Sequence, residues 1–147
     1  MARPKNYRDL IVWQKAMVLA RQAHQMSCSL PKAELFGLSN QIRRAAVSIP
    51  SNIAEGYGRL TDLQLRHFLG NTRGSLYELQ TQIELAADFG YCDDESVRKL
   101  LEQGSEVARL IDGLLTSLRR DREFGFAAVN SASVANTANT APPGLHR

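Results

Sequence analysis

Cysteine is scarce in this chain. Its 147 residues hold two, Cys28 and Cys92, with no Cys-x-x-Cys spacing. Two isolated thiols give no disulfide framework and suit a reducing compartment, so a cytoplasmic protein is expected. Long apolar runs are missing too: nothing approaches the ~20 residues of a membrane helix. The basic start, Met1 to Arg8, leads into a stretch broken by Lys15 and Arg21, which argues against a signal peptide. The phosphate-cradling patterns GxGxxG and GxxxxGK[ST] are absent, as is HExxH. His24 and Cys28 stand four apart, but two ligands do not close a zinc site, and neither His67 nor Cys92 joins them in a motif. Glu78, Glu84 and Asp88 do not form the Glu-x-x-His pattern of a di-iron bundle. Ser48 has no histidine near it in the sequence. With no nucleophile–base pairing, no catalytic residue, metal or cofactor is expected, and enzyme activity is not expected either.

What is present is ordinary globular material, 44% hydrophobic and 22% charged, in a length that fits one domain. Alternating strand patterns are lacking, and four helical patterns are readable. The first is expected to start at a capping Asp9, with Leu10, Trp13, Met17, Ala20 and His24 on one stripe. Ile11, Val12, Val18, Leu19 and Met26 fall off that stripe, so this helix carries surplus apolar surface and hints at self-association. Pro31 ends it. The second pattern is Leu35, Leu38, Ile42, Ala45, Ile49, Ile53 and Gly56, whose small members allow a neighbouring helix to come close. Thr61 to Gln64 reads as a capping box for the third helix, Leu65, Leu69, Thr72, Leu76, Leu79, Ile83 and Ala86, stopped by Gly90. Within it Gly70 and Gly74 read as a close-packing pair. Asp93, Asp94 and Glu95 suit the start of a fourth helix, with Val97, Leu101, Gly104, Ala108, Ile111, Leu115 and Leu118 as its stripe. Steps of four and three with short connections predict an all-α, antiparallel up-and-down four-helix bundle over residues 9–121. Residues 1–8 form an N-terminal arm. Residues 122–147, rich in Ala, Asn and Thr beyond 127, are expected to be a flexible tail.

Residues 41–56 break a local rule. Pro50 stands inside a helical pattern, where it removes a donor and crowds the carbonyl of Ala46, at a cost of ~3 kcal/mol. The helix either kinks there or stops and restarts; the unbroken phase of the apolar stripe favours a kink. Beside that stripe runs a polar one: Gln41, Arg44, Ser48, Asn52, Glu55 and Arg59. It reads in two ways, as donors facing a phosphate backbone or as a seam that holds helices or subunits in register. Arg43 and Arg44 diverge by about 100° and do not share one contact.

Charge is unevenly spread. Residues 1–75 hold 11 Lys/Arg against 4 Asp/Glu, whereas residues 76–121 hold 5 against 10. A basic half suits a polyanion and an acidic half a basic partner or a neighbouring subunit. The candidate nucleic-acid-binding residues are Lys15, Arg43, Arg44, Arg59, Arg66 and Arg73. The candidate structural signature is Gln41, Ser48, Pro50, Asn52, Glu55 and Gly56.

Four blocks in order carry a resemblance: Tyr7-Arg-Asp-Leu-Ile-Val-Trp-Gln-Lys-Ala16, Glu34-Leu-Phe-Gly-Leu38, the run 41–56, and Gly74-Ser-Leu-Tyr-Glu-Leu79. Together they resemble the bacterial four-helix bundle family of 23S rRNA intervening-sequence proteins, from about Tyr7 to Leu118. The resemblance implies an up-and-down bundle assembled as a ring-shaped homopentamer. It implies association with RNA or DNA, no enzyme activity, and, by analogy with accessory proteins of diversity-generating retroelements, a protein partner such as a reverse transcriptase.

Overall fold

The structure, a computed structural model, describes residues 3–137, with side chains described for residues 3–120. Four helices follow one another: α1 (Ile11–Ser29), α2 (Leu38–Tyr57), α3 (Asp62–Asp88) and α4 (Asp94–Thr137). Short 3-10 turns at Tyr7–Asp9 and Lys32–Glu34 precede α1 and α2. Among the described residues there is no strand, so the chain is all-α as expected. No helix among them is long and apolar enough to cross a membrane.

The helices pack on one apolar core. On α3 every member of the expected stripe is buried, from Leu65 to Ala86. On α2 the stripe holds from Leu38 to Gly56, with Ser39, Ala46 and Pro50 buried beside it. Leu35 is exposed, because α2 begins three residues later. On α1 the core stripe is Val12, Ala16, Leu19, Ala23 and Met26, not the one expected. Trp13, Met17 and Ala20 lie half-buried at its flank and His24 is exposed. Two neighbouring stripes on α1 both follow steps of four and three; the small Ala16 and Ala23 mark the one that faces the core. On α4, Val97, Gly104, Ile111 and Leu118 are buried as expected, but Leu100 and Val107 take the places foreseen for Leu101 and Ala108.

Helix ends follow local chemistry. Asp9 does not cap α1: it belongs to the first 3-10 turn, which Asn6 caps by accepting from the Arg8 N–H at 3.0 Å. Thr61 does cap α3, accepting from the Gln64 N–H at 3.2 Å. Asp93 caps α4, accepting from the Ser96 N–H at 2.8 Å and the Ser96 hydroxyl at 2.7 Å. Those bonds hold its carboxyl below the usual carboxylate range. Gly90 ends α3 with φ 77°, and the Tyr91 N–H reaches back to the Ala86 carbonyl at 2.9 Å, closing the last turn.

Of the two outcomes foreseen at Pro50, the stop and restart does not occur: α2 is one element. The buried proline ring adds apolar contact there, which offsets part of its backbone cost. Along α2 and α3 paired residues run in opposite order, Gly56 against Leu65 and Phe68, Ser48 against Ser75. A Cβ on Gly56 would lie 2.8 Å from Phe68 Cβ, so the two helices lie close together at that end. The backbone of α4 continues past the expected boundary at 121 to Thr137, through a stretch whose alanines favour helix. The rest of the expected tail, residues 138–147, lies outside the described residues.

Candidate functional site

The polar stripe of α2 divides in the structure. Its centre is a seam. Ser48 Oγ shares a 2.7 Å hydrogen bond with Ser75 Oγ of α3, and the Asn52 amide donates to both the carbonyl and the hydroxyl of Ser48 at 2.9 Å. Ser48 and Asn52 are half-buried, so their polar atoms need these partners. The ends of the stripe, Gln41, Arg44, Glu55 and Arg59, are exposed.

The six candidate cations do not converge on one face. Lys15 reaches Glu106 of α4 at 2.7 Å, and Arg73 reaches Asp112 of α4 at 3.1 Å. The acidic fourth helix thus occupies two of them. The sequence could not show this, since each partner lies far along the chain. Arg43 is half-buried and donates to the Leu35 carbonyl at 3.4 Å, while its neighbour Arg44 points away and is exposed. Arg44 and Arg66 have no carboxylate partner among the described residues. Arg59 is fixed twice, by Glu55 at 2.7 Å and by the Phe68 ring, whose centroid lies 4.8 Å from its guanidinium carbon.

Arg59 and Arg66 meet at the corner where α2 passes into α3. There Gln64, His67, Phe68 and Asn71 join them around an open hollow of about 780 Å³. Arg3 of the N-terminal arm folds back onto this corner, pairing with Asp62 at 3.0 Å and donating to the Arg59 carbonyl. Three arginines face two carboxylates, Glu55 and Asp62, each already paired, and Arg66 is the surplus charge. Below, Tyr57 is half-buried with a buried hydroxyl; burial raises its pKa and Arg3 pulls it the other way. Gln64, His67 and Asn71 escaped the sequence reading as binding residues. Their signal was local: an i,i+4 His–Asn pair, 3.4 Å apart, immediately after Arg66.

Gly70 and Gly74 are not a close-packing pair within the chain. Nothing lies within 4 Å of a Cβ built on either, because both face outward from α3. Gly70 lines the hollow.

The four sequence blocks prove largely architectural. Tyr7 packs edge-on to Trp13, with ring centroids 5.3 Å apart. Glu34 accepts from the Leu38 N–H at 3.0 Å and from the Tyr91 hydroxyl at 3.1 Å, tying the start of α2 to the α3–α4 connection. Ser75 completes the seam with Ser48. Five large apolar members of the blocks stand exposed instead: Ile11, Leu35, Phe36, Val47 and Tyr77. Elsewhere, His24 Nε2 and Cys28 Sγ lie 3.9 Å apart on the outside of α1, and no three His, Cys, Asp or Glu side chains among the described residues gather as a metal site would require.

Comparison with known proteins places the fold. The family model described as 23S rRNA-intervening sequence protein matches residues 8–113, so the chain belongs to that family. The crystal structure of a protein of unknown function from the S23 ribosomal protein family of Bacteroides thetaiotaomicron VPI-5482 has the same fold. Its TM-score is 0.65 at 19% identity, over 71% of this chain and 98% of that one. No curated protein matches the chain.

Proposed function

We propose that this protein is a non-enzymatic, self-associating bundle that contacts nucleic acid along the α2–α3 side through Arg44, Arg59 and Arg66. The observation that carries this reading is the distribution of unneutralised charge. Where the bundle has carboxylates to spare, on α4, they hold Lys15 and Arg73. Arg44 stands exposed on α2 and Arg66 half-buried on α3, neither with a carboxylate partner among the described residues, and the paired Arg59 stands beside Arg66. Arginine on a rigid helix face is suited to phosphate oxygens. Burial and the neighbouring Asp93 raise the Cys92 pKa, which disfavours its thiolate as a nucleophile. The family's description names 23S rRNA intervening sequences, which makes RNA the first probe to use.

Binding of a labelled RNA hairpin, and of a DNA duplex for comparison, is to be measured against salt. Affinity should fall steeply as salt rises, and Arg44→Ala should reduce the slope of log K against log salt by about 1. Lys15→Ala and Arg73→Ala should change it much less. Salt-independent binding, or none at low salt, would sink the reading.

A second reading has an observation of its own. The Ser48–Ser75 seam shows that the centre of the polar stripe holds α2 to α3. If the whole stripe is a register device for a protein-interaction scaffold, Arg44→Ala will reduce the mass of the assembly in light scattering. Unchanged mass with lost RNA binding supports the nucleic-acid reading instead.

A further inference from the structure

We infer that the hollow at the α2–α3 corner is a pocket for an unpaired nucleotide, which makes single-stranded RNA or looped RNA the preferred ligand over an uninterrupted duplex. This rests on the nucleic-acid reading above and sharpens it to one pocket.

The argument begins with what lines the hollow. A phosphate-only surface needs cations alone. This corner offers more: the Arg66 guanidinium, the side-chain amides of Gln64 and Asn71, the His67 ring and the Phe68 ring. Amides supply both donors and acceptors, the chemistry that reads a base edge. The hollow is open to solvent, and its volume of about 780 Å³ leaves room for a base with its sugar and phosphate.

Stacking surfaces are held in place in advance. Arg59 lies over the Phe68 ring and pairs with Glu55, two contacts that restrict its guanidinium beside the hollow. His67 stands edge-on to Phe68, with centroids 5.6 Å apart, and is exposed. Guanidinium planes and histidine rings are platforms on which unpaired bases stack, and their restricted geometry lowers the ordering cost of binding. One lining residue is an exposed apolar one: Leu63 is 65% exposed, and Leu60 in the preceding turn is 95% exposed, which is unfavourable unless something covers them. A stacked duplex hides its base faces and has nothing to lay against such leucines; a splayed base does.

The wall on the α3 side is left low by glycine. Gly70 costs the helix stability, yet no neighbour within 4 Å requires it. Any larger side chain there would project into the hollow. Arg66 has no carboxylate partner among the described residues and is placed to meet the phosphate of the same nucleotide.

The test uses the full chain and an oligoribonucleotide of about six residues, within the span such sites cover, carrying a central 2-aminopurine. Anisotropy reports binding and the emission of the 2-aminopurine reports stacking. Emission should change on saturation, and the single strand should bind more tightly than a blunt duplex of the same length. Arg66→Ala should weaken binding of the single strand by about tenfold, the effect of losing one stacked or phosphate-bound nucleotide. Gly70→Leu is the decisive variant. It should fold at least as well as the parent, checked by thermal melting, and should weaken the single strand while sparing the duplex. Unchanged emission, or wild-type affinity in Gly70→Leu, overturns the pocket. Single-strand binding that is lost in Arg44→Ala but kept in Arg66→Ala overturns the pocket and leaves the broader nucleic-acid reading intact. If no oligonucleotide binds at low salt, both fall. If poly-glutamate displaces the single strand from the parent and binds as tightly, the corner takes an acidic protein segment and the inference is wrong.

Discussion

Gly56 and Gly74 are both helical glycines, and their surroundings set opposite expectations for the same change. A Cβ on Gly56 would meet Phe68 Cβ at 2.8 Å and Leu65 Cδ1 at 3.1 Å. Phe68 Cβ is rigidly attached to α3, so relief requires the helices to part. Overpacking of this kind costs about 1–3 kcal/mol, against a propensity gain of about 1 kcal/mol for alanine. Gly56→Ala should therefore be neutral to destabilising by up to about 2 kcal/mol. Gly74→Ala meets nothing within 4 Å and should stabilise by up to about 1 kcal/mol. Urea denaturation of the two variants checks both signs, and stabilisation by Gly56→Ala would refute the close approach. The small residues of α2 were legible in the sequence as places for a helix to come near. Gly70 and Gly74 looked the same on paper, since spacing does not distinguish a glycine that faces a helix from one that faces solvent.

Among the elements, α4 shows most directly how an end is held. Asp93 accepts two hydrogen bonds from Ser96, and its pKa lies below the ordinary carboxylate value because the backbone bond, above all, favours the charged form. A carboxyl with a depressed folded pKa stabilises the fold fully above its unfolded value, about 3.9. That contribution fades as pH falls through the lower folded value. Asp93→Ala should thus lower Tm at neutral pH, and the gap from the parent should narrow on acidification towards pH ~3. A gap that stays constant with pH would mean that the charge of Asp93 contributes nothing. The same logic explains what was readable in the elements. Capping by Thr61 and Asp93 depends on neighbours three residues away and was visible in the sequence. At the start of α1 the visible candidate was Asp9, but the 3-10 turn capped by Asn6 absorbed it. The α3 stripe was read in full because its core side is dominated by large apolar residues and its outer side by polar ones. On α1, apolar residues line two adjacent stripes, so periodicity alone gave the wrong phase.

At the scale of the molecule, the uneven charge has two consequences that sequence could only partly anticipate. The basic and acidic halves are visible in composition. That α4 draws off Lys15 and Arg73 depends on contacts between distant parts of the chain. Those pairs are substantially exposed and contribute at most about 1 kcal/mol each, so their main effect is to decide which cations remain for a ligand. The surplus apolar surface foreseen for α1 is also present, in two of the five residues named for it: Ile11 and Val18, a heptad apart, are 61% and 41% exposed, while Val12, Leu19 and Met26 are buried in the core. With three other helices filling the core, a second copy of the chain is the proposed cover, and the homopentamer implied by the family resemblance is the stoichiometry to look for. Replacing both, Ile11→Glu with Val18→Glu, touches no buried residue and should leave the helical signal intact. Light scattering should then show the mass falling toward the 16.3 kDa of one chain. RNA affinity should fall with it, because copies in an assembly present several arginine faces to one strand, and linked contacts bind more tightly than separate ones. Arg66→Ala should do the reverse, weakening RNA binding at constant mass. If the glutamate variant keeps its mass, α1 is not the assembly face. If it dissociates while binding RNA as well as the parent, each chain binds alone and the assembly serves another purpose.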